Sequence, residues 1–385
     1  MIRASLALIN KLKSGEFTTS LKVELLDKDE NIIDEISQYC IDGSISIDKD
    51  RECKRNFSMT LYNPDNKFTP VPSIGKSIWF NKKIKIYIGL HLDDSTIEYL
   101  PQGVFILTKI SATSNPLESP KASIEGTDKM GRWGKISKAL TLKKGLNIAK
   151  AIKLVLDGVE FNFNFDDLED YIIGTEPPIP YGIIPYDLNF SMGTERSKIV
   201  KDLANIVTWD IGYNIYGELR FKKFPDPEND IVSWTYQKED YTLYSGSEKQ
   251  FDDTDLFNSV LTIGSSSMSG TVTAISQNTD ILSPSSIDNI GERLYIHNNG
   301  TPDPLITTVE LAQARSDYEL RKRLQIVEKQ NINIIPNFMH EDGDVIKLID
   351  NNHLTNDKYQ LLKFTIPINK EGRMTCEGWK VRKLL

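Results

Sequence analysis

A chain of 385 residues is too long for one hydrophobic core and indicates two to four domains. Its 54 acidic against 46 basic side chains leave a net charge of -8, which disfavours nonspecific phosphate binding and therefore a nucleic-acid reader. Cys40, Cys53 and Cys376 are scattered and form no CxxC pair, which argues against a zinc site or a disulfide scaffold and fits a reducing compartment.

The opening apolar run, Ala4 to Ile9, is too short for a secretory leader and lacks the usual small-residue cleavage site. No stretch approaches the roughly 18 apolar residues that a membrane span requires. Leu21, Val23 and Leu25 alternate with polar residues as a strand does, Asp27 to Asn31 is its turn, and Ile32-Ile33 begins the return. Ile45 and Ile47 then alternate with serines, and Phe57, Met59 and Leu61 alternate with Ser58, Thr60 and Tyr62, which gives two half-buried strands. Between them lie Asp48, Lys49, Asp50, Arg51, Glu52, Lys54 and Arg55, broken only by Cys53. A run so charged is expected to face solvent or a partner. Asn63-Pro64-Asp65-Asn66 stops the ladder. Ile84, Ile86 and Ile88, then Val104 to Leu107, and finally Lys121 to Asp128 complete a barrel or sandwich of roughly 110 residues, with no helix expected before about residue 140.

At Leu146 the period changes. Ile148, Ala151, Ile152, Val155 and Leu156 recur at helical spacing, with Gly158 as a C-terminal cap. Thr175 to Pro185 holds four prolines and reads as a loop; Thr194 is then expected to cap a helix that buries Ile199, Leu203 and Ile206. Trp209 to Phe221 reads as a hairpin turning near Tyr216-Gly217, with Leu219 and Phe221 on one face. Strands return from Ile231: Asp255 to Gly264 places Val260, Thr262 and Gly264 opposite Leu261 and Ile263, and Val272 to Ser276 returns. Asp280 to Gly291 is a loop. Thr307-Thr308-Val309-Glu310 has the capping-box pattern and opens a helix to about Leu324, with Arg315, Arg321, Lys322 and Arg323 as its solvated side. The remainder is again β, around Ile332 to Phe338, Val345 to Ile349, Tyr359 to Ile368 and Met374 to Val381, with Asp342-Gly343 and Glu371-Gly372 as turns.

Groups able to do chemistry are few. The four histidines form no HExxH or HxH arrangement, and His340-Glu341-Asp342-Gly343-Asp344 is the best metal candidate, although Asp342-Gly343 is ordinary hairpin chemistry. Asp166-Asp167, Glu169-Asp170 and Asp252-Asp253 could pair as glycosidase carboxylates, but adjacent acids on polar loops are usually solvated. No Gly-x-Ser-x-Gly elbow, P-loop or Gly-x-Gly-x-x-Gly fingerprint is present. Trp79, Trp133, Trp209, Trp234 and Trp379 could stack on sugars, yet most stand among apolar residues and are expected in the core. No catalytic residue, cofactor or metal is assigned, and the chain is read as a non-enzyme.

Several loose motifs recur in a fixed order. They are Gly43 with Asp48-x-x-Arg51-x-x-x-Arg55, Asn63-Pro64-Asp65 and Phe68-Thr69-Pro70; Gly126-x-Asp128; Leu203-Ala204 before the Trp209 strand, the Gly217 turn and Pro225-Asp226-Pro227; and Asp280, Ser283-Pro284-Ser285 and Gly291-Glu292-Arg293. In this order, over roughly residues 17 to 385, the chain resembles the bacteriophage tail hub (baseplate hub, minor tail) proteins. The resemblance implies a mainly β fold with an α/β part: two tail-tube-like β-barrel domains joined by an α/β domain. The expected divisions are 1–135 for the first barrel, 136–228 for the α/β domain, 229–270 and 326–385 for the second barrel, and 271–325 for an α/β segment with a helix over 308–324. It further implies a homotrimer in the virion tail or baseplate, made in the host cytoplasm. Its partners would be the tail tube protein, a distal tail, spike or tip protein and the tape measure protein, with DNA only as passing cargo. Asp48, Lys49, Asp50, Arg51, Lys54 and Arg55 would lie at a barrel rim, with Arg51 and Arg55 pairing acids of the adjacent subunit. The alternative reading is a carbohydrate-binding receptor-recognition protein of the tail tip; a wall hydrolase lacks a catalytic set.

Overall fold

A computed structural model describes residues 1–72, 78–115, 117–156, 182–184, 186–207, 209–223, 229–237, 243–251, 253–266, 270–326, 328–369 and 372–381. The N-terminal region holds helix α1 (Leu6–Lys13) and strands β1 (Thr19–Leu26), β2 (Ile32–Glu35), β3 (Cys40–Asp48), β4 (Arg55–Tyr62), β5 (Lys83–His91), β6 (Ile97–Thr113) and β7 (Lys121–Thr127). A lobe follows with β8 (Leu140–Leu142), α2 (Ile148–Leu156), β9 (Leu188–Phe190), α3 (Arg196–Ile206), β10 (Trp209–Tyr213) and β11 (Leu219–Lys223). Next come β12 (Trp234–Gln237) and β13 (Tyr244–Phe251), then a second lobe of β14 (Ser259–Ser266), β15 (Gly270–Gln277), a single turn α4 (Ile287–Ile290), β16 (Leu294–Ile296) and α5 (Val309–Ile326). The chain closes with β17 (Glu328–Ile334), β18 (Val345–Asp350), β19 (Thr355–Pro367) and β20 (Met374–Lys380).

The protein is mainly β with an α/β part, as its periodicities indicate. The two β regions form one 13-stranded sheet in the order β13-β17-β20-β19-β3-β4-β7-β6-β5-β1-β2, with β12 and β18 branching from β19. The seam between the regions is antiparallel pairing of β19 with β3, from Lys363 opposite Asp48 to Pro367 opposite Ser44. Alternate residues of these strands are buried, and one apolar core runs through both regions, including Ile45, Phe57, Ile86, Phe105, Tyr359 and Phe364. Removing that much apolar surface from water is the main favourable term holding the halves together.

Some local expectations need correction. Residues 6–13 are helical: Ser5 caps α1 by accepting from the Leu8 amide at 3.1 Å, and Leu8 and Leu12 are buried against the sheet. In eight residues only two apolar positions face inward, so the helical period is hard to see. Thr194 does not cap α3; its hydroxyl donates to the Ser191 carbonyl, and Glu195 stands at the cap without a side-chain bond. Thr308 does cap α5, accepting from Leu311 at 3.3 Å. Arg315 leaves the solvated side expected for it: it is buried and donates to the Asn205 carbonyl at 2.6 Å. The Trp209 hairpin holds, with Leu219 and Phe221 fully buried on one face. The proline-rich stretch from Thr175 to Pro180, Pro225-Asp226-Pro227, and Asp166-Asp167 with Glu169-Asp170 lie outside the described residues.

Candidate functional site

The charged turn between β3 and β4 is where the parts of the molecule meet. Asp48 organises it: its carboxylate accepts from the Asp50 amide at 3.0 Å and pairs with Arg51 at 3.2 Å, and its own amide donates to the Lys54 carbonyl at 2.9 Å. Short acidic side chains that bond the backbone two residues on stabilise such turns. The Lys49 amide reaches the Leu362 carbonyl of β19 at 3.0 Å, and Asp50 lies 3.8 Å from Lys322 of α5.

The expectation that the whole run faces solvent or a partner fails at its end, where two side chains turn into this chain's own interior. Asp50, Arg51 and Glu52 are exposed, but Lys54 and Arg55 are buried, with Arg55 only 2% exposed. The reason is that both have partners inside the same chain. Lys54 Nζ lies 2.6 Å from both carboxylate oxygens of Asp210 on β10. Gly212 gives the lysine room, since a Cβ there would stand 3.1 Å from Lys54 Cδ. Burial opposes the ammonium charge, but Asp210 and Asp342 outweigh it and hold the Lys54 pKa above its ordinary value. Arg55 Nη1 donates to the Gln102 carbonyl of β6 at 3.0 Å, and Gln102 Nε2 donates to the Phe338 carbonyl at 3.0 Å.

Asp128, at the end of β7, completes the joint. Its carboxylate accepts from the Arg55 amide at 3.2 Å and the Met130 amide at 3.0 Å, capping the turn at Lys129–Arg132. Burial pushes its pKa up to about 6, against the pull of these amides and of Lys54 and Arg55. Beside it Glu30 binds Lys83 at 2.8 Å and also Lys129. Trp133 Nε1 donates to the Tyr213 hydroxyl at 3.1 Å, tying the same turn to β10. The turn is therefore an ionic joint linking the sheet, the α/β lobe and α5. Asp210, Asp128 and Gln102 escape sequence reasoning because the positions they bind lie far from them in the chain; Gly126-x-Asp128 is the one signal that touches them.

The other candidates resolve into packing. His340 is fully buried with Nε2 2.8 Å from the Tyr236 hydroxyl and Nδ1 3.2 Å from Asp344. Both ring nitrogens are thus engaged, and among the described residues no three His, Cys, Asp or Glu side chains gather as a metal site would need. Glu341 and Asp342 line a crevice with Lys54, Asp210 and Arg220 whose free space is about 50 Å³. That is room for water, far below the roughly 300 Å³ of a small-molecule pocket. Asp252 lies outside the described residues, and Asp253 pairs with Arg293 at 3.1 Å. Trp133, Trp209, Trp234 and Trp379 are buried, and Trp79 is half-buried beside Phe80. A groove of about 540 Å³ runs past Trp234, but that tryptophan is buried, and Lys13 Nζ stands 5.6 Å from its ring centroid.

No protein-family model and no curated protein matches the sequence. Solved structures do match in fold. The tail protein of Neisseria meningitidis aligns over 94% of this chain and 96% of its own at 12% identity, with a TM-score of 0.62. The chain has the fold of phage tail proteins. A 43 kDa prophage tail protein of Shewanella oneidensis shares this tail-protein fold over 95% of this chain and 98% of its own, at 12% identity and a TM-score of 0.60. A prophage tail protein of Listeria monocytogenes does so over 92% and 94%, at 11% identity and 0.57. A structure of the Francisella PdpA-VgrG complex matches 98% of this chain and 56% of the other, at 10% identity and 0.55. The resemblance carried by the motifs thus holds for the tail-protein fold along nearly the whole chain.

Proposed function

We propose that this chain is a structural tail hub. It forms a ring, as a homotrimer, that caps the distal end of a tail tube, serves as the platform on which the tube grows, and opens to release the genome. Each subunit presents two β regions, so three subunits offer six tube-like units to a six-fold tube and keep three-fold symmetry for a spike or tip. The observation that carries this reading is the single sheet joining both β regions through β3 and β19, in a fold shared end to end with tail proteins. Its work lies in interfaces and movement, without bond chemistry, in the virion tail. The tube protein, a spike or tip protein and the tape measure protein are its partners, and DNA passes through without sticking to an acidic protein. Of the charged turn, Asp50 and Arg51 remain exposed and available to a neighbouring subunit, whereas Lys54 and Arg55 act within the chain. Light scattering on the purified protein, alone and with its tail-tube protein, tests the reading. A trimer, or a monomer that becomes a ring on the tube protein, supports it; a monomer indifferent to the tube protein overturns it.

A further inference from the structure

Charge is distributed unevenly along this chain. From Gln250 to Ala314 there are eight acids against one arginine, Arg293, so this stretch carries seven of the eight net negative charges. From Lys129 to Leu156 there are eight lysines and arginines and no acid. The first stretch builds β14, β15, β16 and the start of α5, whose later turns add Arg315, Arg321, Lys322 and Arg323 against Asp317 and Glu319; the second opens the α/β lobe with β8 and α2.

Both surfaces are incompletely matched inside the chain. Lys135, Lys138, Lys144 and Lys150 are exposed and make no ion pair among the described residues, and neither do Asp288 and Glu292, also exposed. Arg293, the one cation of that first stretch, is held by Asp253. Each surface also shows apolar side chains. Helix α5 covers one face of the small sheet, burying Val260, Thr262, Val272 and Ala274. On the opposite face Ile275, Leu261 and Ile296 stand side by side in register, and Leu282 beyond them is 86% exposed. On α2, Leu154 is 52% exposed one turn from Lys150, on the side of the helix away from its buried stripe.

We propose that the acidic lobe of one copy docks on the basic face of α2 and β8 in the next copy, head to tail. This rests on the ring reading above and names the faces that meet in it. A contact between two different patches generates a ring when its rotation closes. The partner is a second copy because the acidic stretch finds its complement, four exposed lysines without an ion pair among the described residues, on this same chain. A two-fold contact between acidic lobes would instead set Asp288 and Glu292 against their own copies. Opposite charges at the rim steer the approach, and the apolar side chains between them supply contact area.

The test is a charge swap on the full chain, read by sedimentation at two salt concentrations. Lys144→Glu with Lys150→Glu, and separately Asp288→Lys with Glu292→Lys, should each weaken association about tenfold. The four changes together should restore it, and added salt should weaken the wild-type ring. Leu154→Ser, which leaves every charge in place, should weaken it as well. All of these exposed positions lie outside the ionic joint, and circular dichroism checks that each variant folds. A ring unaffected by any swap overturns this pairing and leaves the hub reading standing. A chain that is monomeric with and without the tube protein overturns both. Sensitivity on one surface alone also overturns it: the lysines would then pair elsewhere, with the seven acids between residues 157 and 181 for instance, or the acidic lobe would face another protein.

Discussion

Lys54 and Asp210 lie 156 residues apart in the chain and meet at 2.6 Å, joining the turn after β3 to the first strand of the α/β hairpin. The lysine is almost wholly removed from water, so its charge is tolerable only while the carboxylate is there.

Replacing one partner should therefore cost more than replacing both. Asp210→Asn strands a buried ammonium, and we expect a loss of about 3 kcal/mol in urea unfolding. Lys54→Met with Asp210→Asn should recover most of it. A single-variant loss below about 0.5 kcal/mol, typical of a surface pair, would show that the joint is not held this way.

Asp128 gives the joint a pH dependence with a definite sign. An unfolded aspartate titrates near about 3.9, and burial raises the folded value to about 6. The folded state thus holds the proton more tightly, and the group's stabilising contribution is complete below the unfolded pKa and is lost as pH rises through 6. The stability of the wild type relative to Asp128→Asn should fall between pH 4 and 6.5 and level off above. Melting temperatures across that range check it, and a flat difference would place the proton elsewhere.

Asn258 is fully buried and pins the loop after β15. Its Nδ2 donates to the Ser285 carbonyl at 3.2 Å and the Gly291 carbonyl at 2.8 Å, while Oδ1 accepts from the Arg293 amide at 2.7 Å. Asn258→Ala leaves these backbone groups without their partner, at a cost of about 2 kcal/mol. Hydrogen exchange should accelerate across 278–293 first; protection unchanged there would mean that the loop holds itself.

Gly264 marks a close approach. Any Cβ on it would overlap the Ile306 carbonyl oxygen, which accepts from the Ser265 amide at 2.9 Å. Gly264→Ala should destabilise by about 2 kcal/mol by forcing the 303–306 segment away from β14. A melting temperature equal to wild type would show that the segment yields freely.

These elements differ in how legible they were. The strand flanks of the charged turn, helix α2 and the Trp209 hairpin follow from period and turn residues, because each is decided by neighbours in sequence. The burial of Lys54 and Arg55 was hidden because it is decided by Asp210 and by the Gln102 carbonyl. A run of charges reads as surface unless its counter-charges are known to arrive from another element. Arg315 departs from the solvated side for the same reason, since the carbonyl of Asn205 lies on α3. The seam of β19 with β3 was equally invisible: both strands alternate as any half-buried strand does, and alternation says nothing of which edge will find which.

That seam makes β19 common property. Thr355 to Gln360 pair with β18, Tyr359 to Thr365 with β20, and Lys363 to Pro367 with β3. A load placed on one half therefore reaches the other along a single continuous backbone, through hydrogen bonds strained side by side. The register of β19 against β20 shifts between Leu361 and Lys363, so the shared strand passes from one half to the other across a bulge, where a ladder bends most readily.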